Sequence, residues 1–325
     1  MKFNGLFAAA LAAAALLAAG AQAQDRDGWP SSLTIGTASQ GGTLYSYGAG
    51  TGAMIAEELG LNVSAEITGG PVQNVTLVQT GEHDIGLMTM GPMYEAWTGK
   101  SELAPGLEHK DIRALFPMYT SAFHAVALRS SGIGSIADLD GRRVSVGPAG
   151  GTPGTYWPRI FDALGVAPRI SYTSGSDAAD QLKDGLIDAY FFAAGLPVSS
   201  FSQLDAEADV TIFGFTSEEQ EKVLAGFPSV AKFTVPAGTY PSQTEDLNSV
   251  AMWNFAVANK SMPESLAYEI TKLVLGNNDR MLQVHAASRE TVIGNWKNNS
   301  FLPFHAGAVR YLEEQGQVIP PELRD

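Results

Sequence analysis

Short apolar runs alternate with glycine-containing turns along the chain, and one series of them occurs twice in the same order. The first series opens with SLTIGTASQGGT (residues 32–43), a strand-like run ending in glycines, and continues into a small-residue-rich helical stretch that stops at Leu59-Gly60. The second opens with RRVSVGPAGGT (142–152) and reaches the same kind of stop at Leu164-Gly165. Each then gives a second strand with glycine behind it, VSAEITGG (63–70) and ISYTSG (170–175), followed by the helix candidates PVQNVTLVQTG and SDAADQLKDG. Each helix ends in a glycine three residues before an aspartate, Gly81 with Asp84 and Gly185 with Asp188. A fully apolar strand follows, IGLMTM or AYFFAA. Gly91-Pro92 and Gly195-Leu196-Pro197 close the two series. Strand, helix, strand, helix and strand, read twice, predict two parallel α/β units, and the period is too long for a solenoid.

The stretches between and after the units predict how they are joined. Ile112 to Leu128 (IRALFPMYTSAFHAVAL) is long, apolar and interrupted by Pro117, and is expected to carry the chain out of the first lobe. A second apolar stretch, Val230 to Val235, is expected to carry it back. Ser135 is expected to open a short helix, and Ser261-Met-Pro-Glu264 reads as a capping box before LAYEITKLVLG, with Gly276 as its C-cap. A last helix is expected from Gly307 to Gln315. The domain expectation is lobe one over 24–118, lobe two over 119–235, and a return to lobe one with C-terminal helices over 236–325. Two crossings imply a hinge and a cleft between the lobes.

Compartment and charge narrow the possibilities. Lys2 precedes an unbroken run of Ala, Leu and Phe from Leu6 to Ala19, and Ala21-Gln22-Ala23 offers small residues at a signal-peptidase site. Residues 1–23 are therefore expected to be a signal peptide cleaved after Ala23, which places the chain in the periplasm. The run is short of the roughly 20 apolar residues of a membrane span. The chain has 20 basic and 34 acidic side chains, net −14, and loss of Lys2 makes this −15. Such a balance argues against nucleic acid and anionic lipid surfaces as partners. Without cysteine there is no disulfide framework, so stability has to come from burial. Roughly 300 residues after cleavage exceed the comfortable size of one core, in keeping with two lobes.

The chemistry is expected at the strand-to-helix turns. GTASQGGT (36–43) has the outline of a phosphate loop, G-x-x-x-x-G-K-[ST], but Gly42 stands where the lysine belongs. A nucleoside triphosphate would be poorly neutralised there, whereas a carboxylate carries one charge. Two or three charge-assisted hydrogen bonds contribute about 1.5–3 kcal/mol each, and a helix dipole adds to them. Two carboxylates held in this way reach micromolar binding, which suits a small organic acid. Four turns are expected to converge on the cleft: Ser39 to Thr43, Gly69 to Asn74, Gly147 to Thr155 and Thr173 to Asp177. Asn74 reads equally as a ligand amide or as a helix cap, and Asp84 and Asp188 read as turn residues. Arg129 and Arg159 are the arginines within reach of the cleft.

Taken together, IGTASQGGTLYSYG, ITGGPVQNVTLVQTGEHDIGLM, DLDGRRVSVGPAGGTPGT, LKDGLIDAYFFAAGLP, VPAGTYPSQTEDLNSVA and PFHAGAVRYLEEQG cover nearly all of the expected mature chain. It resembles the extracytoplasmic solute-binding subunits of tripartite ATP-independent periplasmic (TRAP) transporters, of the TAXI type. The resemblance implies an α/β, type II periplasmic-binding-protein fold whose two lobes close on a small acid such as glutamate or 2-oxoglutarate. It implies delivery to a permease with small and large membrane components, driven by an ion gradient. By position it implies a ligand site at Ser39, Gly41, Gly42, Thr43, Tyr45, Gly70, Asn74, Thr89, Met90, Thr152, Thr155, Phe192 and Gly195. The sequence departs from the family's short Gly-Ser-Gly-Thr run, having GGTPGT with Pro153 inserted, and has HAGA at 305–308 where His-Pro-Gly-Ala is usual.

Catalysis is not expected. The five histidines, at 83, 109, 124, 285 and 305, form no H-E-x-x-H, and no G-x-S-x-G elbow occurs. No cofactor or metal is expected, and the protein is expected to be a monomer. The alternatives are a receptor for another permease or a sensor kinase, and an exported enzyme on the same scaffold.

Overall fold

The computed structural model describes residues 26–324; the expected signal peptide lies outside them. The first repeat folds as β1 (Ser32–Gly36), α1 (Thr43–Leu59), β2 (Asn62–Glu66), α2 (Pro71–Thr80), β3 (Ile85–Thr89) and α3 (Met90–Trp97). After the long strand β4 (Ile112–Leu128), the second repeat gives β5 (Arg143–Ser145), α4 (Thr152–Leu164), β6 (Arg169–Ser171), α5 (Gly175–Lys183), β7 (Ala189–Ala194) and α6 (Ser199–Glu207). The remaining elements are β8 (Val210–Phe213), α7 (Ser217–Gly226), β9 (Ala231–Val235), β10 (Leu247–Asn259), α8 (Glu264–Gly276), α9 (Asn278–Val284) and α10 (Ala306–Glu314).

All ten strands join one sheet, in the order β2-β1-β3-β10-β4-β7-β5-β6, with β8 on β4 and β9 on β10. Its two halves mirror the repeat. β1 lies parallel to β2 and β3, which meets antiparallel β10; β5 lies parallel to β6 and β7, which meets antiparallel β4. The two aspartates do the same work in each half. A carboxylate oxygen of Asp84 accepts the N–H of Thr34, and one of Asp188 accepts that of Arg143, both at 2.7 Å. Each pins its repeat's first strand beside its third, and Gly81 and Gly185 precede them with φ of 77° and 68°.

Burial separates the lobes. One core draws on Leu33 to Tyr119 and again on Phe255 to Leu323. The other half is filled by two clusters drawn from residues between Ala122 and Met252, with Trp157, Phe161, Phe191 and Phe215 packed ring on ring in one of them. β4 therefore passes from one lobe to the other between Tyr119 and Ala122, and β10 between Met252 and Phe255.

This corrects the expected return path. Val230 to Val235 does not carry the chain back: β9 is an edge strand, largely exposed, paired along β10 from Leu247 to Ala251. The return is β10, whose 13 residues can span both cores. Pro117 does not interrupt β4 either. It pairs with Phe255 at a register shift, where its missing N–H costs nothing.

Caps account for smaller differences. Ser135 does build a capping box with Asp138, over the 3₁₀ turn Ile136–Leu139. Ser261 caps nothing; its hydroxyl donates to Asn259 Oδ1 at 2.9 Å, because Pro263 occupies the N-cap position of α8. Helix α8 runs through Gly276, and Asn277 takes the C-cap. The last helix, Ala306–Glu314, starts and stops one residue earlier than expected.

Candidate functional site

Helices α1, α2 and α4 begin at glycines, Gly42, Gly70 and Gly151, and none has a side-chain cap or an acidic residue in its first turn. Helix α3, begun at Thr89, is equally uncapped. Ser174 caps α5 and Thr216 caps α7, with acids in both first turns, whereas α6, α8 and α9 also start without a side-chain cap. An uncapped start leaves N–H groups and the positive end of the helix dipole to whatever lies beyond it.

What lies beyond these starts is a cavity of about 30 Å³ between the lobes. Lobe one contributes Ala38, Ser39, Gly42, Thr43, Leu44, Gly69, Pro71 and Thr89. Lobe two contributes Pro148, Gly151, Thr152, Pro153, Phe192, Ala193 and Ala194. No charged side chain is among them. Ser39 lines the cavity, and its hydroxyl is buried without a hydrogen-bond partner.

The other hydroxyls are engaged. Thr43 donates to the Gly195 carbonyl across the cleft at 2.7 Å. Thr152 donates to Thr89 at 2.9 Å, again across the cleft, and Thr89 donates to Asn254 Oδ1 at 2.7 Å. The Asn254 amide then donates to Tyr119 O and Ser121 Oγ. A continuous hydrogen-bonded chain thus runs from lobe two, past the cavity, to the point where β4 and β10 change lobes.

The structure brings Ser39, Gly42, Thr43, Thr89, Thr152 and Phe192 together on the cavity wall. Gly41, Gly70 and Gly195 stand just behind it as contacts between lobes. A Cβ at Gly41 would come within 2.6 Å of Ser176 N, and one at Gly70 within 2.9 Å of Gly151 Cα. Tyr45, Asn74, Met90 and Thr155 do not reach the wall. Asn74 is fully buried and gives its amide to the carbonyls of Gly36, Thr37 and Leu87, so it ties the turns of lobe one together.

The fourth turn, Thr173 to Asp177, does not join the cavity. Its Ser174 is occupied in capping α5, and its Ser176 N–H donates to Gln40 O at 3.2 Å, sealing one side of the cleft. Ala38, Leu44, Ala193 and Ala194 are wall residues that the sequence does not mark, since alanine and leucine at these places read as core. Their only signal is adjacency to the glycine turns.

Neither arginine within reach enters the cavity. Arg129 pairs with Asp209. Arg159 on α4 pairs with Glu95 on α3 at 2.7 Å and with Glu102 at 2.5 Å, which joins the lobes outside the cavity. Tyr156 donates to the same Glu95 at 2.9 Å, and burial with that neighbouring carboxylate pushes its phenol well above the usual range. His305 caps α10, and no group of three metal-ligating side chains exists among the described residues.

Comparison with known proteins adds a family and a fold. Residues 35–316 match the NMT1-like family. Among solved structures, one described as a periplasmic transporter superposes with a TM-score of 0.54 at 14% identity, over 88% of this chain and 93% of the other. The periplasmic binding protein BugD gives 0.54 at 14%, over 88% and 96%. An ancestral arginine-binding protein bound to arginine gives 0.50 at 15%, over 80% and 98%. At these identities the likeness is one of fold, the type II periplasmic-binding-protein fold.

Proposed function

Because the chain belongs to the NMT1-like family and has the type II periplasmic-binding fold, we propose that it is an extracytoplasmic solute receptor which closes its two lobes on a small organic acid. The observation that carries this reading is the cation-free cavity at the uncapped starts of helices from both lobes, with a wall residue, Ser39, whose buried hydroxyl is left unpartnered. Main-chain N–H groups and a serine hydroxyl solvate a carboxylate without a fixed countercharge, and closure removes competing water. Glycine at the α2 and α4 starts, and at Gly41 just ahead of α1, lets the backbone of one lobe touch that of the other. The ligand contacts proposed are Ser39, Gly42, Thr43, Thr89, Thr152 and Phe192. Gly41, Gly70 and Gly195 are proposed as closure contacts.

The TAXI resemblance extends the proposal to the partner: a TRAP permease with small and large membrane components, in the periplasm, after removal of residues 1–23. Glutamate and 2-oxoglutarate are the acids it brings forward. The likeness to BugD and to an arginine-binding protein is compatible with a receptor serving a different permease. Uptake measurements separate the two. Deleting the gene together with neighbouring TRAP subunits is expected to abolish uptake that an ion gradient drives and ATP depletion spares. Mass spectrometry of the solute released from natively purified protein is expected to identify an organic acid. A cationic or uncharged solute there would defeat the carboxylate reading.

A further inference from the structure

Resting on the organic-acid reading above, we infer that the Phe192 ring is the gauge of the site: it sets how long an acid the closed cleft accepts, whatever groups hold the acid's charge.

The ring fills the place of two missing side chains, one from each lobe. A Cβ on Gly42, at the start of α1, would come within 3.1 Å of its Cε1 and 3.2 Å of its Cζ. Along the other edge, a Cβ on Gly147, in the turn behind β5, would come within 2.8 Å of its Cε2 and 3.2 Å of its Cδ2. Gly147 has a φ of 79°, so its backbone alone favours glycine. Gly42 does not share that reason: its φ of −101° and ψ of 156° are extended values open to any residue. Of the atoms a side chain there would meet, those of the Phe192 ring are the nearest. Glycine at 42 therefore answers to the ring, and the ring is a stop for lobe one as it closes on lobe two.

The base of the ring is fixed. Phe192 pairs with His124 on β4, its carbonyl accepts the Trp157 indole N–H at 3.0 Å, and the Tyr190 ring lies 5.4 Å away on the same face of β7. Trp157 is itself stacked with Phe161 and Phe215. The repeat does not call for a wall at this place. Met88 follows Asp84 by four residues, as Phe192 follows Asp188, yet it is buried in the lobe-one core and does not line the cavity. Phe192 is also the wall residue with most volume to give, since the others are glycine, alanine, serine, threonine and proline, with Leu44 the further exception. With the ring in place the cavity measures about 30 Å³, so a longer acid meets the ring or has to hold the lobes apart.

The test is calorimetry on protein freed of bound solute by unfolding and refolding. The probes are straight-chain monocarboxylates from acetate to octanoate and dicarboxylates from malonate to suberate. L-glutamate, L-2-aminoadipate, 2-oxoglutarate and 2-oxoadipate are the substituted members. In whichever series wild type binds, Phe192→Ala is expected to move the best-bound length up by at least one carbon. It is expected to bind that longer acid roughly tenfold or more tighter than wild type does. Gly42→Ala is the opposite change, a methyl group pressed on the ring. It is expected to weaken the longest acid that wild type binds roughly fivefold or more and the shortest less, and to lose that length dependence once Phe192 is alanine. A general loss of closure would weaken every length alike. Melting curves of the free variants are read first, and Phe192→Leu takes the place of Phe192→Ala if the latter does not fold. An unchanged preferred length in the Phe192 variant, or a Gly42→Ala effect equal at all lengths, overturns the gauge and leaves the organic-acid receptor standing. Wild type binding none of the acids overturns both.

Discussion

Gly41 illustrates how much of the site rests on single residues without functional groups. Its φ of 85° lies in the left-handed region, and the opposite lobe's Ser176 N would sit 2.6 Å from any Cβ placed there. Gly41→Ala is expected to cost about 1 kcal/mol of stability from backbone strain. The larger effect falls on closure, because a backbone nitrogen in a helix start cannot yield as a flexible side chain can. Small-angle scattering is expected to show the variant more open than wild type, and affinity for the solute identified by mass spectrometry is expected to drop at least tenfold. His124 carries a different residue-scale prediction. It is buried, its Nε2 lies 2.7 Å from the Tyr240 hydroxyl, and burial lowers its pKa to about 4. In the unfolded chain it titrates near the ordinary value of 6.5. Between those values the unfolded state takes up the proton and the folded state does not, so stability is expected to fall as pH drops from 6.5 to 4. The loss is on the order of 3 kcal/mol over the full interval. Urea midpoints across that range should show the slope, and His124→Gln should flatten it.

At the scale of elements, the lobes are held shut by contacts that lie outside the cavity as well as in it. Among the ion pairs described, those of Arg159 are the ones that join the lobes, tying α4 to Glu95 on α3 and to Glu102 in the loop behind it. None of the three lines the cavity, so their influence on binding runs through the open-to-closed equilibrium alone. Half-exposed pairs are screened by salt. Raising sodium chloride from 0.05 to about 1 M is expected to open the solute-free protein, measured as a larger radius of gyration. Arg159→Met is expected to be open already and to lose the salt response. An unchanged radius in both would show that the backbone contacts at Gly41 and Gly70 suffice. The chain of Thr152, Thr89 and Asn254 is the internal counterpart, since it ends on β4 and β10 where they change lobes.

For the whole molecule, the single sheet matters more than the two cores. β4 and β10 are paired with each other through the changeover and belong to both lobes, so neither lobe has a complete set of strands without the other. Glu290 adds a clamp at the same place, its carboxylate accepting the N–H of Thr120 at 2.6 Å and its hydroxyl at 2.8 Å. The two lobes are therefore expected to unfold together, despite a size at which independent domains are common. Urea transitions reported by Trp157 in lobe two and by Trp296 in lobe one, each isolated by replacing the other tryptophans with phenylalanine, are expected to coincide. Midpoints separated by more than about 0.5 M would mean that the shared strands do not couple the lobes.

Much of this was legible in order along the chain. The repeated strand and glycine signals, down to Asp84 and Asp188, are local: each depends on a turn, a cap or an alternation that neighbouring residues dictate wherever the segment ends up. The α/β class, the two-lobed plan and the lysine-free turn at residues 36–43 followed from them. The return path did not, because Val230 to Val235 and Leu247 to Asn259 are both apolar, and only competition for a place beside β4 decides which one crosses. The cavity wall lay further from view. Whether a threonine hydroxyl faces a ligand or another lobe's carbonyl, as at Thr43 and Gly195, depends on atoms 152 residues apart in sequence meeting at 2.7 Å. Asn74 and the turn at Ser174 resembled ligand contacts in sequence, and were drawn into the scaffold by unpaired carbonyls and N–H groups that only the packed lobes bring within reach. Local chemistry fixed what each segment is; which donors remain free for a solute was decided by tertiary pairing, since buried polar groups satisfy one another first.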